Sequence, residues 1–290
     1  MKLLATSDTH YGEHEEADRA TRRLAEQVAA SDADAFALVG DVAGAGTGDF
    51  RDCLQAFRGF EGTKLVVPGN HDMWTDGPDS YRKYTRILPE VADDCGFHML
   101  DQGPVTVGDT AIIGNMGWYD YSFRDPSLEL TTADYRSKTM EGVGTWMDKL
   151  HVNWNLTDEE FTAMCLQRLR RHYRQVQGRA ERVVVILHHV PFEELLYEDT
   201  DNLKWKYCRA YLGARRFGEA IRQWDDVAAV ICGHRHRQAS FREDGMHAFV
   251  VGSRSEVKRL LALDPATGRH EYTDFPVEGA DEPASEDDAS

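Results

Sequence analysis

The sequence has few of the features that mark disulfide-rich or membrane-spanning proteins. Its five cysteines, at positions 53, 95, 165, 208 and 232, lie far apart and form no C-x-x-C pair. A disulfide framework or a thiolate zinc site is therefore not expected, and a reducing, cytoplasmic location fits this cysteine usage. No apolar run approaches the length of a membrane span. The first polar motif follows only a few apolar residues, too few for a signal peptide, so we expect neither a targeting segment nor a membrane partner.

Basic residues are also scarce relative to acidic ones. The chain has 33 Lys and Arg against 50 Asp and Glu, a formal net charge of −17. Sequence-independent binding of long nucleic acids needs a basic surface, so this balance disfavours such a partner. It leaves room for a small phosphorylated substrate. Residues 277–290 contain six acids and no bases, and we expect them to form a disordered tail after a domain over residues 1–276.

Apolar runs alternate with segments of helical periodicity in the first quarter of the chain. Strands are predicted over 2–6, 35–39 and 64–68, and helices over 15–30 and 49–58. This βαβαβ order is typical of a parallel sheet with right-handed crossovers. Later strands are predicted over 182–187, 227–231, 247–251 and 259–263, with a hairpin over 105–107 and 110–113. Thr157 with Glu160 forms a capping box that opens a helix to about residue 177.

Residues 115–155 are rich in aromatic side chains and are predicted to be an insertion or a lid. Trp118, Tyr119 and Tyr121 follow a predicted strand, so one interpretation is that they stack on a nucleobase. The other, which we favour, is that they pack the segment against the core.

Five short polar patterns carry the chemistry, and most of them follow an apolar run that predicts a strand. In chain order they are Asp8-Thr9-His10, Gly40-Asp41, Gly69-Asn70-His71-Asp72, His188-His189 and Gly233-His234-Arg235-His236. The carboxyl ends of neighbouring parallel strands meet at one edge of a sheet. We therefore expect these residues to form one site.

The donor types in these patterns are carboxylates, an amide and imidazoles, which suit Mn²⁺, Fe and Zn²⁺. We expect Mn²⁺, with Fe or Zn²⁺ as alternatives. The donors exceed what one ion needs, so two divalent metal ions sharing a carboxylate is the economical arrangement. Asp41 is the natural bridge, because Gly40 before it tolerates close backbone approach. Two ions about 3.5–4 Å apart hold a hydroxide that attacks phosphorus in line.

Two further residues in the third pattern suggest roles beyond metal binding. His71 is not needed as a ligand, so it is free to face the substrate and assist the leaving group. Asp72 either holds His71 in one tautomer or caps the next turn, and the sequence does not decide between these roles.

Taken together and in this order, D-x-H, G-D, G-N-H-D, H and G-H-x-H resemble the calcineurin-like metallophosphoesterase superfamily, over roughly residues 1–265. The resemblance implies an α/β (α+β) fold in which two mixed sheets flanked by helices form a four-layer αββα sandwich. It implies that His71 contacts the phosphate. It also implies one metal held by Asp8, His10, Asp41 and His236, and another held by Asp41, Asn70, His188 and His234.

The residues after Asp41 differ from those of two subfamilies of this superfamily. Val42-Ala43-Gly44 follows Asp41, where protein serine/threonine phosphatases have Asp-Arg-Gly and purple acid phosphatases have a tyrosine three residues on. Neither subfamily is therefore expected. Of the adjacent pair His188 and His189, only one side chain can face the site, because neighbouring strand residues point in opposite directions. We favour His188, which directly ends the apolar run, and keep His189 as the alternative.

The leading hypothesis is a dinuclear metal-dependent hydrolase of phosphate esters, acting on a small phosphodiester or nucleotide-like substrate. One alternative is a nuclease of the same superfamily, which the acidic composition disfavours. The other is a non-catalytic, metal-stabilised interaction protein, which would have no use for a proton donor at His71. The sequence does not indicate the oligomeric state.

Overall fold

Two six-stranded sheets form the centre of the computed structural model, which describes residues 1–75, 77, 79–196 and 201–278. The first sheet has the order β14-β13-β1-β2-β3-β4. Its strands are β1 (Leu3–Thr6), β2 (Ala35–Val39), β3 (Thr63–Val67), β4 (His98–Met99), β13 (Val257–Asp264) and β14 (Arg269–Pro276). The second sheet has the order β11-β12-β10-β9-β6-β5. Its strands are β5 (Val105–Val107), β6 (Thr110–Asn115), β9 (Arg182–Leu187), β10 (Val227–Cys232), β11 (Ala239–Glu243) and β12 (Met246–Val250).

Both sheets are mixed. Strands β1 to β4 run parallel, whereas β13 and β14 are antiparallel to their neighbours. In the second sheet β6, β9, β10 and β12 are parallel, and the edge strands β5 and β11 are antiparallel. The predicted hairpin is confirmed, because Val105 pairs with Ile112.

The central strands are apolar on both faces because each sheet is covered twice. Leu3 and Ala5 of β1 belong to a cluster that also contains Val184 and Ile186 of β9, so these side chains fill the space between the sheets. Leu4 points the other way and packs with Leu24 of a helix. The predicted four-layer αββα sandwich is thus confirmed.

Ten α-helices cover the outer faces and the edges within the described part of the chain. They are α1 (Glu15–Ala29), α2 (Thr47–Ala56), α3 (Asn70–Met73), α4 (Ser80–Arg82), α5 (Leu88–Asp94), α6 (Thr132–Arg136), α7 (Asp148–His151), α8 (Asp158–Val176), α9 (Leu203–Cys208) and α10 (Arg215–Ile221). The predicted capping box is present at the start of α8: Thr157 accepts from the backbone N–H of Glu160, and the Glu160 carboxylate accepts from that of Thr157.

Sequence periodicity missed the edge strands β11 and β14. Each has partly or fully exposed positions along most of its length, so neither carries the continuous apolar run of a central strand. The strands that were predicted, and the helices α1 and α2, agree with the structure to within about two residues at each end.

The aromatic segment 115–155 is packed into the main core. Trp118, Tyr119 and Tyr121 are fully buried, and Trp118 packs edge-on against Phe161 of α8 at 5.4 Å between ring centroids. Stacking of these three rings on a nucleobase is therefore wrong, and the packing interpretation is confirmed. A two-stranded ribbon, β7 (Thr139–Met140) with β8 (Gly144–Thr145), lies in the same segment.

The cysteines, the helix lengths and the start of the C-terminal tail bear on the remaining predictions. All five cysteines are free. Among the described residues there is no helix with the length and apolarity needed to span a bilayer. The backbone N–H of Val277 donates to Glu256, which places the first residue of the predicted tail against the domain. Residues 279–290 of that tail lie outside the described residues.

The buried histidine His172 on α8 should make the free energy of unfolding depend on pH. It is 1% exposed, and burial, reinforced by Arg171 and Arg168, lowers its pKa to about 4. The unfolded chain therefore binds a proton between pH 6.5 and 4 that the folded chain excludes, so the free energy of unfolding falls as the pH falls through this window. We expect His172→Gln to remove roughly 2–3 kcal/mol of the loss between pH 7 and pH 4.5.

Urea titrations of the metal-free protein at the two pH values measure this difference. His270→Gln is the control, because His270 is exposed. Equal pH dependence in wild type and His172→Gln would contradict the prediction.

Candidate metal centre

The polar patterns that follow β1, β2, β3, β9 and β10 meet at one end of the two sheets. Asp8, His10, Asp41 and His236 form one group, in which a donor atom from each residue lies within 4.8 Å of the others. Asp41, His188 and His234 form a second group by the same measure. Asp41 belongs to both groups, which is the arrangement expected for a bridging ligand.

The first group brings two imidazoles and two carboxylates together. His10 Nε2 lies 3.3 Å from His236 Nε2 and 3.9 Å from Asp41 Oδ2. His236 Nε2 lies 3.5 Å from Asp8 Oδ1. The Asp8 carboxylate is held from behind, since it accepts hydrogen bonds from the Ser7 hydroxyl and from the backbone N–H of His234.

The second group includes Asn70 as well. His188 Nε2 lies 3.2 Å from Asp41 Oδ2 and 3.3 Å from Asn70 Oδ1. On the other side of the ring, His188 Nδ1 is 3.0 Å from the carbonyl oxygen of Val39. A carbonyl only accepts, so the proton of the neutral ring lies on Nδ1 and the Nε2 lone pair faces the site.

The backbone fixes His234 in a similar way. His234 Nε2 lies 3.3 Å from the carbonyl oxygen of Tyr211, which places the proton on Nε2 and leaves Nδ1 with its lone pair. The sequence gave no indication of Tyr211 as a partner, because the contact joins segments that are 23 residues apart.

His189 belongs to neither group, although its ring lies 4.4 Å from that of His234. Its Nδ1 lies 3.1 Å from the carbonyl oxygen of Met116, and its ring lies 4.9 Å from that of Trp118. Of the two adjacent histidines, the structure therefore brings His188, and not His189, into the cluster.

The donor set fits divalent cations. His188 Nε2, Asp41 Oδ2 and Asn70 Oδ1 are three acceptors that converge, which is unfavourable unless a positive charge lies between them. Burial lowers the pKa of His188, but the Asp41 carboxylate outweighs this effect and raises that pKa to about 9. The site thus attracts positive charge. A mixture of imidazole nitrogen and carboxylate or amide oxygen donors suits Mn²⁺, Fe or Zn²⁺.

Five residues of the two groups have a strained backbone. Asp8, His10, Asp41, His234 and His236 all have positive φ, between 45° and 67°. This left-handed region is uncommon for residues other than glycine and is found mainly at functional sites. Close approach also explains one glycine: a Cβ on Gly69 would lie 2.1 Å from Asp41 Oδ1 and 2.7 Å from His188 Nε2.

His71 lies beside the cluster. Its backbone N–H donates to Asp41 Oδ1, and its ring stacks on Trp74 with 3.7 Å between centroids. Its Nδ1 is 3.7 Å from Glu13 Oε1. Burial lowers the pKa of His71, but Asp41 and then Glu13 raise it above its usual value. Glu13 was not found by sequence reasoning, because it belongs to none of the polar patterns.

Asp72 caps the turn that carries Asn70 and His71. It is 1% exposed, and its carboxylate accepts from the backbone N–H groups of Gly69, Val42 and Ala43. This geometry favours the capping role over a direct hold on the imidazole of His71. The carboxylate also ties the Asp41 loop to the Asn70 loop.

Comparison with known proteins places this arrangement in a class. The family described as calcineurin-like phosphoesterase matches residues 1–238. The chain belongs to this family and is a metal-dependent phosphoesterase. The family depends on two metal ions. No curated protein sequence matches the chain.

Solved structures share the fold. Phosphopantetheinyl hydrolase from Mycobacterium tuberculosis has 21% sequence identity and a TM-score of 0.67, over 87% of this chain and 89% of that chain. A dimetal phosphatase from Danio rerio has 15% identity and a TM-score of 0.54, over 96% of this chain and 99% of that chain. At these identities the similarity is one of fold.

Proposed function

We propose that this protein hydrolyses a small phosphodiester or nucleotide-like phosphate ester with the help of two divalent metal ions. The observation that carries the proposal is the convergence of six candidate ligands into two groups that share Asp41, with Asn70 beside His188 as a seventh and His71 next to Asp41. These ligands are Asp8, His10, Asp41, Asn70, His188, His234 and His236.

The first requirement of the reaction is a negatively charged residue, Asp41, that can bind both cations. When bound, two divalent cations would lower the pKa of a coordinated water and place positive charge near the phosphoryl oxygens. Asp41 would contribute its carboxylate to both ions, and burial with the surrounding imidazoles keeps it in place. Although burial raises the pKa of Asp41, the nearby His188 and His71 hold it well below the usual range, so the carboxylate is available as a ligand at neutral pH.

His71 would protonate the leaving oxygen. Bound cations would offset the charge of Asp41. Glu13, whose Oε1 lies 3.7 Å from Nδ1, and Asp148 would then still favour the protonated imidazole. Stacking on Trp74 restricts the rotation of the ring. A fixed imidazole that retains its proton is suited to general-acid catalysis.

The net charge of −17 favours a small substrate over a nucleic acid chain. The excess of acidic residues would disfavour a long polyanion, whereas a single phosphodiester would meet mainly the local field of the two ions.

Hydrolysis assays on chelator-treated protein test the proposal. We expect turnover of bis-p-nitrophenyl phosphate to appear on addition of Mn²⁺ and to saturate near two ions per chain, with slower turnover of p-nitrophenyl phosphate. Fe²⁺ and Zn²⁺ are tested in parallel. No turnover of either substrate with any of the three metals would count decisively against a phosphoesterase acting on small esters.

Other substrates separate the alternatives. Degradation of single-stranded DNA or RNA at physiological salt would favour a nuclease. Binding of two ions without any turnover would favour the non-catalytic interaction protein. A phosphopantetheinyl ester, the group named for the Mycobacterium tuberculosis structure, is a further diester to include.

A further inference from the structure

Asp148 is a buried carboxylate whose hydrogen bonds converge from three separate segments. It opens α7 within the aromatic segment and is 1% exposed. Its Oδ1 accepts from Asn70 Nδ2 at 3.0 Å and from Trp74 Nε1 at 2.7 Å. Its Oδ2 accepts from the Tyr119 hydroxyl at 2.9 Å and from Trp146 Nε1 at 2.8 Å. Four donors thus saturate the carboxylate.

The contact with Asn70 decides which end of that amide faces the metals. A carboxylate accepts hydrogen bonds and does not donate them, so the NH₂ end of Asn70 must point to Asp148. The carbonyl oxygen then lies on the opposite side, 3.3 Å from His188 Nε2. If the amide were reversed, its N–H groups would point at the position of a cation and repel it.

We propose that Asp148 is a positioning residue for the metal centre: it selects the oxygen of Asn70 as the ligating atom. This inference rests on the proposed metal-binding role of Asn70. It also gives the segment 115–155 a function, since a residue of that segment orients a ligand at the start of α3. Ligands held by an outer hydrogen-bond partner commonly lose metal affinity by 10- to 100-fold when that partner is removed.

The same carboxylate holds two indole rings at the border of the site. Trp74 stacks on His71, and the Trp146 ring lies 5.9 Å from that of His234. If Asp148 had a purely structural role, its loss would disturb the packing of these two rings and so lower the stability of the fold. The orienting role acts through Asn70 on one metal site, and this difference makes the two roles separable.

The experiment is a Mn²⁺ titration of metal-free protein by isothermal calorimetry. Asp148→Asn keeps the size of the side chain but permits the wrong amide orientation. We expect one of the two sites to weaken by about 10- to 100-fold and the other to change little.

Asp158→Asn is the matched control. Asp158 is also a buried carboxylate that accepts from a tryptophan and a tyrosine, Trp118 and Tyr121, and it pairs with Lys138 at 2.9 Å. It lies outside both metal groups. We expect this variant to unfold at a lower temperature while both metal sites keep their affinity.

The reversed pair provides the decisive test. In Asn70→Asp/Asp148→Asn, the amide at 148 donates to the carboxylate at 70, whose second oxygen faces the metals. We expect affinity at the weakened site to return to within a few fold of wild type, and to exceed that of Asn70→Asp alone, in which two carboxylates face each other.

Three results would overturn the inference: unchanged affinity at both sites in Asp148→Asn, equal weakening of both sites, or a folded double variant that binds as poorly as Asp148→Asn. If Asp148→Asn does not fold, the double variant carries the test alone. The outcome is independent of turnover. A wild type that binds two ions but hydrolyses nothing would refute the proposed function and leave the positioning role standing, whereas a wild type that binds fewer than two ions would overturn both.

Discussion

Asp41→Asn is expected to reduce turnover of bis-p-nitrophenyl phosphate by on the order of 10³- to 10⁴-fold, because metal ions supply several kcal/mol to such reactions and each 1.4 kcal/mol is tenfold in rate. The physical reason is that, among the described residues, Asp41 alone joins the group of Asp8, His10 and His236 to the group of His188 and His234. An amide offers one neutral oxygen where the carboxylate offers two charged ones. We expect metal content to fall from two ions to one or fewer, as measured by elemental analysis after Mn²⁺ loading.

Thermal unfolding distinguishes a lost metal centre from a damaged fold. We expect Mn²⁺ to raise the melting temperature of wild type by mass action, and this increase should be largely absent in Asp41→Asn. Asp101→Asn is the matched control: Asp101 is also buried and accepts from Tyr84 and Met116, but it belongs to neither metal group. Two tightly bound ions in Asp41→Asn, with turnover near that of wild type, would refute the bridging role.

His71→Asn should lower turnover in proportion to the basicity of the leaving group. General-acid catalysis contributes about 10²- to 10⁴-fold when the leaving oxygen needs a proton. Diphenyl phosphate releases phenolate, which is much more basic than p-nitrophenolate. We therefore expect a loss of about 10²-fold or more for diphenyl phosphate, and a much smaller loss for bis-p-nitrophenyl phosphate.

Metal content gives the second measurement for this variant. His71 belongs to neither group around Asp41, although it forms a third set of possible donors with His10 and Glu13. In the proposed arrangement it is not a ligand, so two ions should remain bound. His14→Asn is the control, because His14 is a nearby exposed histidine and should leave the rates unchanged. Equal losses on the two diesters would show that His71 does not transfer a proton, and a loss of bound metal would make it a ligand instead.

The order of the polar motifs predicted the layout of the candidate centre because each motif follows a central strand. Asp8, Asp41 and His234 come two residues after β1, β2 and β10, and His188 directly follows β9. Parallel strands place their carboxyl ends at one edge, so a local pattern in the sequence becomes a shared location in space. The convergence of these residues was therefore predictable.

The orientation of single side chains was less predictable. The sequence favoured His188 over His189 only by its position at the end of an apolar run. In the structure, His188 Nε2 lies 3.2 Å from Asp41 Oδ2, whereas His189 belongs to neither metal group. The sequence also left the role of Asp72 open, and its three backbone donors come from two separate loops, at residues 42–43 and at residue 69.

The chain by itself determined the central strands, the parallel pairing of β1, β2 and β3, and the donor atoms available for metal, because apolar runs and ligand chemistry are local properties of residues. Folding decided the rest: Glu13 beside His71, Tyr211 behind His234, and Asp148 behind Asn70. These contacts join segments that are distant along the chain and follow no sequence period. Only the packing of the two sheets and the aromatic segment brings the partners within hydrogen-bond distance.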